Sequence, residues 1–223
     1  MKKLLLLLII PLLSFGQEID YHKITNPSFL NGMYKGELFD AFQWNDKLGN
    51  NIFILCVETR PTGEVEAMYD PPIEVQRTTI YAFHYIIKNL GKRDIVLDLV
   101  KLWDIKEWVE FGSMDGSISF VEESIKITDL DNDNIAEVTL GYTIGGGSDC
   151  CWPWSIKLIM HEEGRKYAIR GSTAIIDSSG AIKRGGEKNM YGKDSFKEAP
   201  NVFTNFASNL YDSALMYYED WVD

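Results

Sequence analysis

The chain is poor in the residue types on which most recognisable enzyme chemistry is built. It has three histidines and three cysteines in 223 residues. His22, His84 and His161 are scattered. His161-Glu162 is followed at the next ligand position of a zinc-protease helix by Arg165, within an evident turn, so that signature fails. His84 alone inside a strand pattern reads as a packed, hydrogen-bonded core residue. No G-x-S-x-G nucleophile elbow occurs. Gly145-Gly146-Gly147 lacks the Gly-Lys-Ser/Thr ending of a phosphate loop. No catalytic residue is assigned.

Positive charge is also scarce. Lys and Arg number 22 against 33 Asp and Glu, a net charge of −11, and no stretch supplies the basic face that a nucleic acid partner would need. Only one run of apolar residues is long. Met1 to Gly16, MKKLLLLLIIPLLSFG, places two lysines before a Leu/Ile run and ends on Ser14-Phe15-Gly16. That order of basic, apolar and small predicts a secretory signal over residues 1–16, with an apolar run too short to span a bilayer stably. Export and cleavage after Gly16 would leave a mature chain of 17–223, with the basic count down from 22 to 20 and the net charge at −13. The periplasm or cell surface is the expected location. After signal removal no transmembrane span is expected.

What is present in quantity is acid, and it is concentrated. Asp129, Asp131 and Asp133 alternate with other residues and Glu137 follows four further on, D-x-D-x-D-x-x-x-E. Three carboxylates spaced by two, then a carbonyl at the seventh position from Ile135 and an acid at the ninth, suit a hard oxygen-seeking cation, and calcium is the expected cofactor. The sixth position, where such loops favour Gly, holds Asn134, which tolerates positive φ. The twelfth is Leu140 instead of the bidentate Glu of a helix-loop-helix hand. The flanks are strands, because Ile125 and Ile127 alternate with polar residues before the loop and Val138, Leu140, Tyr142 and Ile144 do so after it. A strand-to-strand acidic loop of this kind resembles the calcium loops of integrin-type propeller repeats, over nine residues and in one copy.

Period-two patterns continue through most of the chain. Tyr34–Trp44 and Asn51–Thr59 flank the turn NDKLGN; Arg60–Gln76, with Pro61, Gly63, Pro71 and Pro72, reads as a loop. Thr78–Lys88 reads as a strand buried on both faces and turns at 89–92 into Asp94–Trp103. Ser117–Glu122, the two strands about the acidic loop, Ser155–His161 and Lys166–Ala174 complete some nine strands in sequential hairpins. The expected fold is therefore mainly β, a single antiparallel β-rich domain of sequential hairpins, either sandwich-like or a partly open barrel. Residues 177–200 are polar and glycine-rich, a long surface loop. From Asn201 the period changes. Phe203, Phe206, Leu210, Ala214, Tyr217 and Trp221 recur at three and four, predicting an amphipathic helix over 201–222 with Asn201 as its cap.

Cys56, Cys150 and Cys151 are candidates for disulfide pairing, although three cannot all pair within one chain. A bridge from Cys56 to one of the adjacent pair would contribute ~2–4 kcal/mol; a strained vicinal bridge, and three thiols with Cys56 in the core, are the alternatives. Trp152 and Trp154, beside the glycine run, offer aromatic faces of the kind that stack on sugar rings, and are the candidate binding residues; packing into the core is the competing role. Carboxylate pairs for glycoside hydrolysis could be drawn from Asp98, Asp104, Glu107 and Glu110; a solvated charged face over 104–110 is the competing reading.

Three segments carry a wider resemblance: W-x-D-x-x-G-x-N at Trp44–Asn51, D-L-D-N-D-x-x-x-E at 129–137, and K-L-I-M-H-E-x-G-x-K-Y-A-I-R-G at 157–171. Together with the N-terminal segment they resemble a family of exported bacterial proteins, some of whose members carry the label surface polysaccharide biosynthesis. The resemblance implies a link to the cell envelope and brings no catalytic residue with it. Two expectations follow. The first is a calcium-stabilised, non-enzymatic envelope domain that binds a glycan or an envelope protein; the second is an enzyme acting on surface polysaccharide through acidic residues.

Overall fold

The computed structural model describes residues 17–89, 98–111, 116–146, 155–176, 182–184, 187–190, 192 and 196–219. In chain order the strands are β1 (Gln17–Glu18), β2 (Tyr21–Lys23), β3 (Glu37–Asp46), β4 (Gly49–Glu66), β5 (Ile73–Asn89), β6 (Asp98–Phe111), β7 (Gly116–Asp129), β8 (Glu137–Gly146), β9 (Ser155–Glu162), β10 (Arg165–Ser172), β11 (Ala174–Ile176), β12 (Ile182–Arg184) and β13 (Lys188–Asn189). Among the described residues one α-helix, α1 (Asn201–Glu219), closes the order.

Two antiparallel meanders form from these strands. One sheet runs β2-β3-β4-β5-β6, and the other β1-β7-β8-β9-β10-β13, with β11 and β12 paired apart. Each main strand thus lies beside its sequence neighbour, as sequential hairpins require. The sheets face each other as a sandwich, not a closed barrel. Their shared core takes Trp44, Phe53, Leu55, Ile80, Ala82 and Ile105 from the first sheet and Ile118, Phe120, Val138, Leu140, Tyr142 and Ile159 from the second. Burying each large apolar side chain contributes about 1.5–3 kcal/mol, which makes this interface the main source of stability.

The opposite face of the second sheet is covered by α1. Phe203, Ala207, Tyr211 and Ala214 are buried against Leu158, Met160, Tyr167 and Ile169. The buried stripe is turned slightly from the one expected, since Ala207 and Tyr211 fill it while Phe206 and Leu210 sit at its margin. Tyr217 is helical but its side chain, like Trp221, lies outside the described residues. The Pro200 carbonyl accepts from the Phe203 and Thr204 amides. Pro200 is therefore the cap, and Asn201 is already helical.

Three boundaries differ from the sequence expectation. Arg60–Gln76 is not a loop: β4 and β5 pair out to Glu66 and Ile73, with a register shift between Pro61 and Val65. Gly63, at φ 85°, absorbs that shift, and Thr62 Oγ1 donates to the Val75 carbonyl at 3.0 Å. The arm forms despite its prolines because the ladder is bulged there. Second, Ser117–Glu122 and the strand before the acidic loop are one strand, β7, interrupted between Val121 and Lys126. Ser124 Oγ bridges that interruption, donating to Val121 O and accepting from Gly141 N, both at 2.6 Å. Third, the 177–200 segment contains β12, β13 and a short 3-10 turn at Phe196–Glu198 among its described residues.

Candidate metal centre

The acidic loop lies between β7 and β8, and its backbone is built by its own side chains. Asp129 Oδ1 accepts from the Asp133 amide at 3.0 Å and Oδ2 from the Asn134 amide at 3.1 Å. Asp133 Oδ1 accepts from the Ile135 amide at 2.8 Å. Asn132 and Asn134 take φ of 61° and 67°, the left-handed region that Asn tolerates better than most residues. Leu130, Ile135 and Ala136 are buried and anchor the loop to the core. Wrapping the chain this way leaves carboxylate oxygens pointing inward on one side.

Two overlapping sets of oxygens result. Asp129, Asp131 and Glu137 each offer an oxygen within 4.8 Å of the others, and so do Asp131, Asp133 and Glu162. That spacing matters because two ligands of one calcium ion, each at about 2.4 Å from it, cannot be more than about 4.8 Å apart. The acidic cluster can therefore hold a metal ion. Of the residues expected from the loop spacing, Asp129, Asp131 and Glu137 come together; Asp133 falls in the other set, and Ile135 occupies the seventh position with its side chain in the core.

Glu137 carries the one oxygen of these clustered acids that is buried without a hydrogen-bond partner among the described residues. Its Oε2 accepts from the Leu130 amide at 2.9 Å and from Thr128 Oγ1 at 3.0 Å. Its Oε1 is enclosed and has no hydrogen-bond partner, in a residue with 0% exposure. A buried carboxylate oxygen without a partner is costly unless a cation or proton meets it. Burial pushes the Glu137 carboxyl up to about 8, and Glu162 up to about 7 through burial and then the charges of Asp131 and Asp133. Asp131 is raised by burial, and next by Asp133. In all three burial leads, and neighbouring carboxylate charge adds to it.

Glu162 was not among the residues singled out by the loop motif. The antiparallel register supplies it: Val138 pairs with His161, so the next residue of β9 returns beside the start of β8. The hairpin turn at Asp46 is a second neighbour that the sequence did not reveal. Asp46 Oδ2 accepts from Trp44 Nε1 at 3.0 Å and from the Ala136 amide at 3.2 Å, and its Oδ1 accepts from the Leu48 amide at 2.8 Å. The Lys47 amide donates to the Asn134 carbonyl at 2.8 Å. The β3-β4 turn of the first sheet is thereby docked on the acidic loop of the second. Behind it, Asn51 Oδ1 meets His84 Nε2 at 3.0 Å and the His84 ring lies 5.0 Å from that of Trp44. Burial holds His84 down to about 4, in keeping with a core histidine.

The other expected residues are placed as follows. Cys56 is a free thiol, wholly buried in β4. Cys150, Cys151, Trp152 and Trp154 lie outside the described residues, as does the 1–16 segment. Of the acids considered as catalytic pairs, Asp98 is in β6, Asp104 pairs with Lys101, and Glu110 with Arg77. Glu107 accepts from Tyr142 Oη at 2.9 Å and from Lys157 Nζ at 3.4 Å. Arg77 also sits 4.7 Å from the ring centroid of Trp108, a half-exposed aromatic on β6. Among the described residues no helix is long and apolar enough to cross a membrane.

Comparison with protein-family models, with curated proteins and with solved structures returns no match.

Proposed function

We propose that this chain is an exported, calcium-stabilised β-domain of the cell envelope whose role is to bind a glycan or an envelope protein. The observation that carries the metal part is the Glu137 Oε1 atom, buried and without a hydrogen-bond partner in a residue that shares an oxygen cluster with Asp129 and Asp131. Calcium suits the site because every donor is an oxygen and most are carboxylate, the set a hard cation of flexible geometry takes. Asp129, Asp131 and Glu137 would hold the ion, which would supply structural stabilisation.

Export is supported by the order of basic, apolar and small residues in Met1–Gly16. A binding role, as opposed to catalysis on surface polysaccharide, is supported by the acids of β6: Asp104, Glu107 and Glu110 each engage a cation or hydroxyl. The acidic loop and the 147–154 segment adjoin opposite ends of β8, so the ion would fix the hairpin while Trp152 makes contact with the ligand. The test is a melting curve of the mature chain with calcium and with chelator, alongside a glycan array run in calcium. The expected result is a higher melting temperature with calcium, lost in Asp131→Ala, and glycan binding lost in a folded Trp152→Ala. Equal melting with and without calcium would end the metal reading, and array binding indifferent to Trp152 would end the assignment of that contact.

A further inference from the structure

The loop motif accounts for one hairpin only, yet the oxygen cluster reaches a second. Glu162 stands at the end of β9, where the antiparallel register with β8 returns the chain to the acidic loop. Its carboxylate lies within 4.8 Å of oxygens of both Asp131 and Asp133. Asp131 belongs to both oxygen sets, so the two are parts of one acidic cluster. Glu137, which shares the inner set with Asp131, carries the enclosed Oε1 that has no hydrogen-bond partner.

Charge makes the same point. Five carboxylates converge here, and one divalent ion held by the inner three would leave Asp133 and Glu162 facing each other close to Asp131. Like charges at that distance repel, and a cation whose field extends to them relieves the repulsion.

We propose that Glu162 is a ligand of the cation site, so that calcium is clasped between the β7-β8 loop and the β9-β10 hairpin. This rests on the reading of the acidic loop as a calcium site and adds to it a carboxylate from outside the loop. The ion then fastens together three successive strands of the second sheet at the end where the first sheet also docks through Asp46. A loop-only site would gain calcium without involving β9 at all.

The experiment is calcium titration by calorimetry of the full mature chain, compared with Glu162→Gln and with Glu163→Gln. Glu163 is the neighbouring exposed turn residue and belongs to neither oxygen set, so its substitution removes the same charge without removing a ligand. Loss of a ligand carboxylate should weaken calcium binding by about tenfold or more, while Glu163→Gln should change it little. Glutamine at 162 preserves size, and the circular dichroism spectrum should remain that of the unaltered chain. If Glu162→Gln binds calcium as tightly as the unaltered chain, or is weakened no more than Glu163→Gln, the inference is wrong and the loop reading stands. If the unaltered chain binds no calcium, both are wrong.

Discussion

Glutamine at position 137 should make the chain more stable without calcium and deaf to calcium, two effects of opposite sign from one atom. In the metal-free chain the Glu137 carboxyl is fully enclosed and its affinity for a proton is raised from 4.5 to about 8, chiefly by burial. A carboxyl raised in the folded state keeps its proton there after the unfolded chain has released its own. Stability therefore falls as pH rises from about 4.5 to about 8 and is flat above. Each unit of that gap is worth about 1.4 kcal/mol, so ionisation costs the metal-free fold at most roughly 5 kcal/mol at pH 8. The amide of Glu137→Gln has no charge to bury, its oxygen can accept from Leu130 and Thr128, and its NH2 takes the place of Oε1 beside Asp129 and Asp131. A recovery of ~2–3 kcal/mol is a reasonable fraction of that limit. For a chain of this length it corresponds to a melting temperature roughly 4–12 °C higher. The assay is thermal and urea unfolding at pH 8, in chelator and in calcium. The unaltered chain should gain from calcium; Glu137→Gln should start higher and gain nothing. A variant that is less stable than the unaltered chain in chelator, or that still responds to calcium, refutes the argument.

Other outcomes follow from the same geometry. Asp46→Ala leaves the Trp44 indole and the Ala136 and Leu48 amides without their acceptor, and should cost about 2–4 kcal/mol in urea unfolding, with weaker calcium binding because the loop loses its support. Between pH 6.5 and about 4, buried neutral His84 should make the fold less stable as pH falls, because the unfolded chain gains a proton that the folded chain does not; His84→Gln should flatten that part of the profile by up to about 3 kcal/mol.

The sandwich was legible because alternation is a local signal: Val138, Leu140 and Tyr142 point to the core whatever lies opposite. The arm of β4 and β5 was hidden by Pro61, Gly63, Pro71 and Pro72, which mark turns in isolation but here accommodate a bulge in a continuing ladder. The helix was visible from its spacing, though its exact buried face depends on the sheet beneath. In the candidate site, Asp129, Asp131 and Glu137 could be read from spacing because the loop folds on itself. Glu162 and Asp46 could not, since each arrives through register or docking between segments far apart in the chain.

The pairing of β1 sets an order on folding. Nearly every strand of the sandwich can form its ladder as soon as the next strand exists, a local arrangement that closes short loops and favours speed. Gln17 and Glu18 are the exception, for their partners are Asp129 and Thr128. A chain delivered from its N-terminus can complete the whole first meander before β1 has anything to pair with. The first of the described strands is thus fastened only once the second sheet has begun, and it is fastened at the residue where the acidic loop begins.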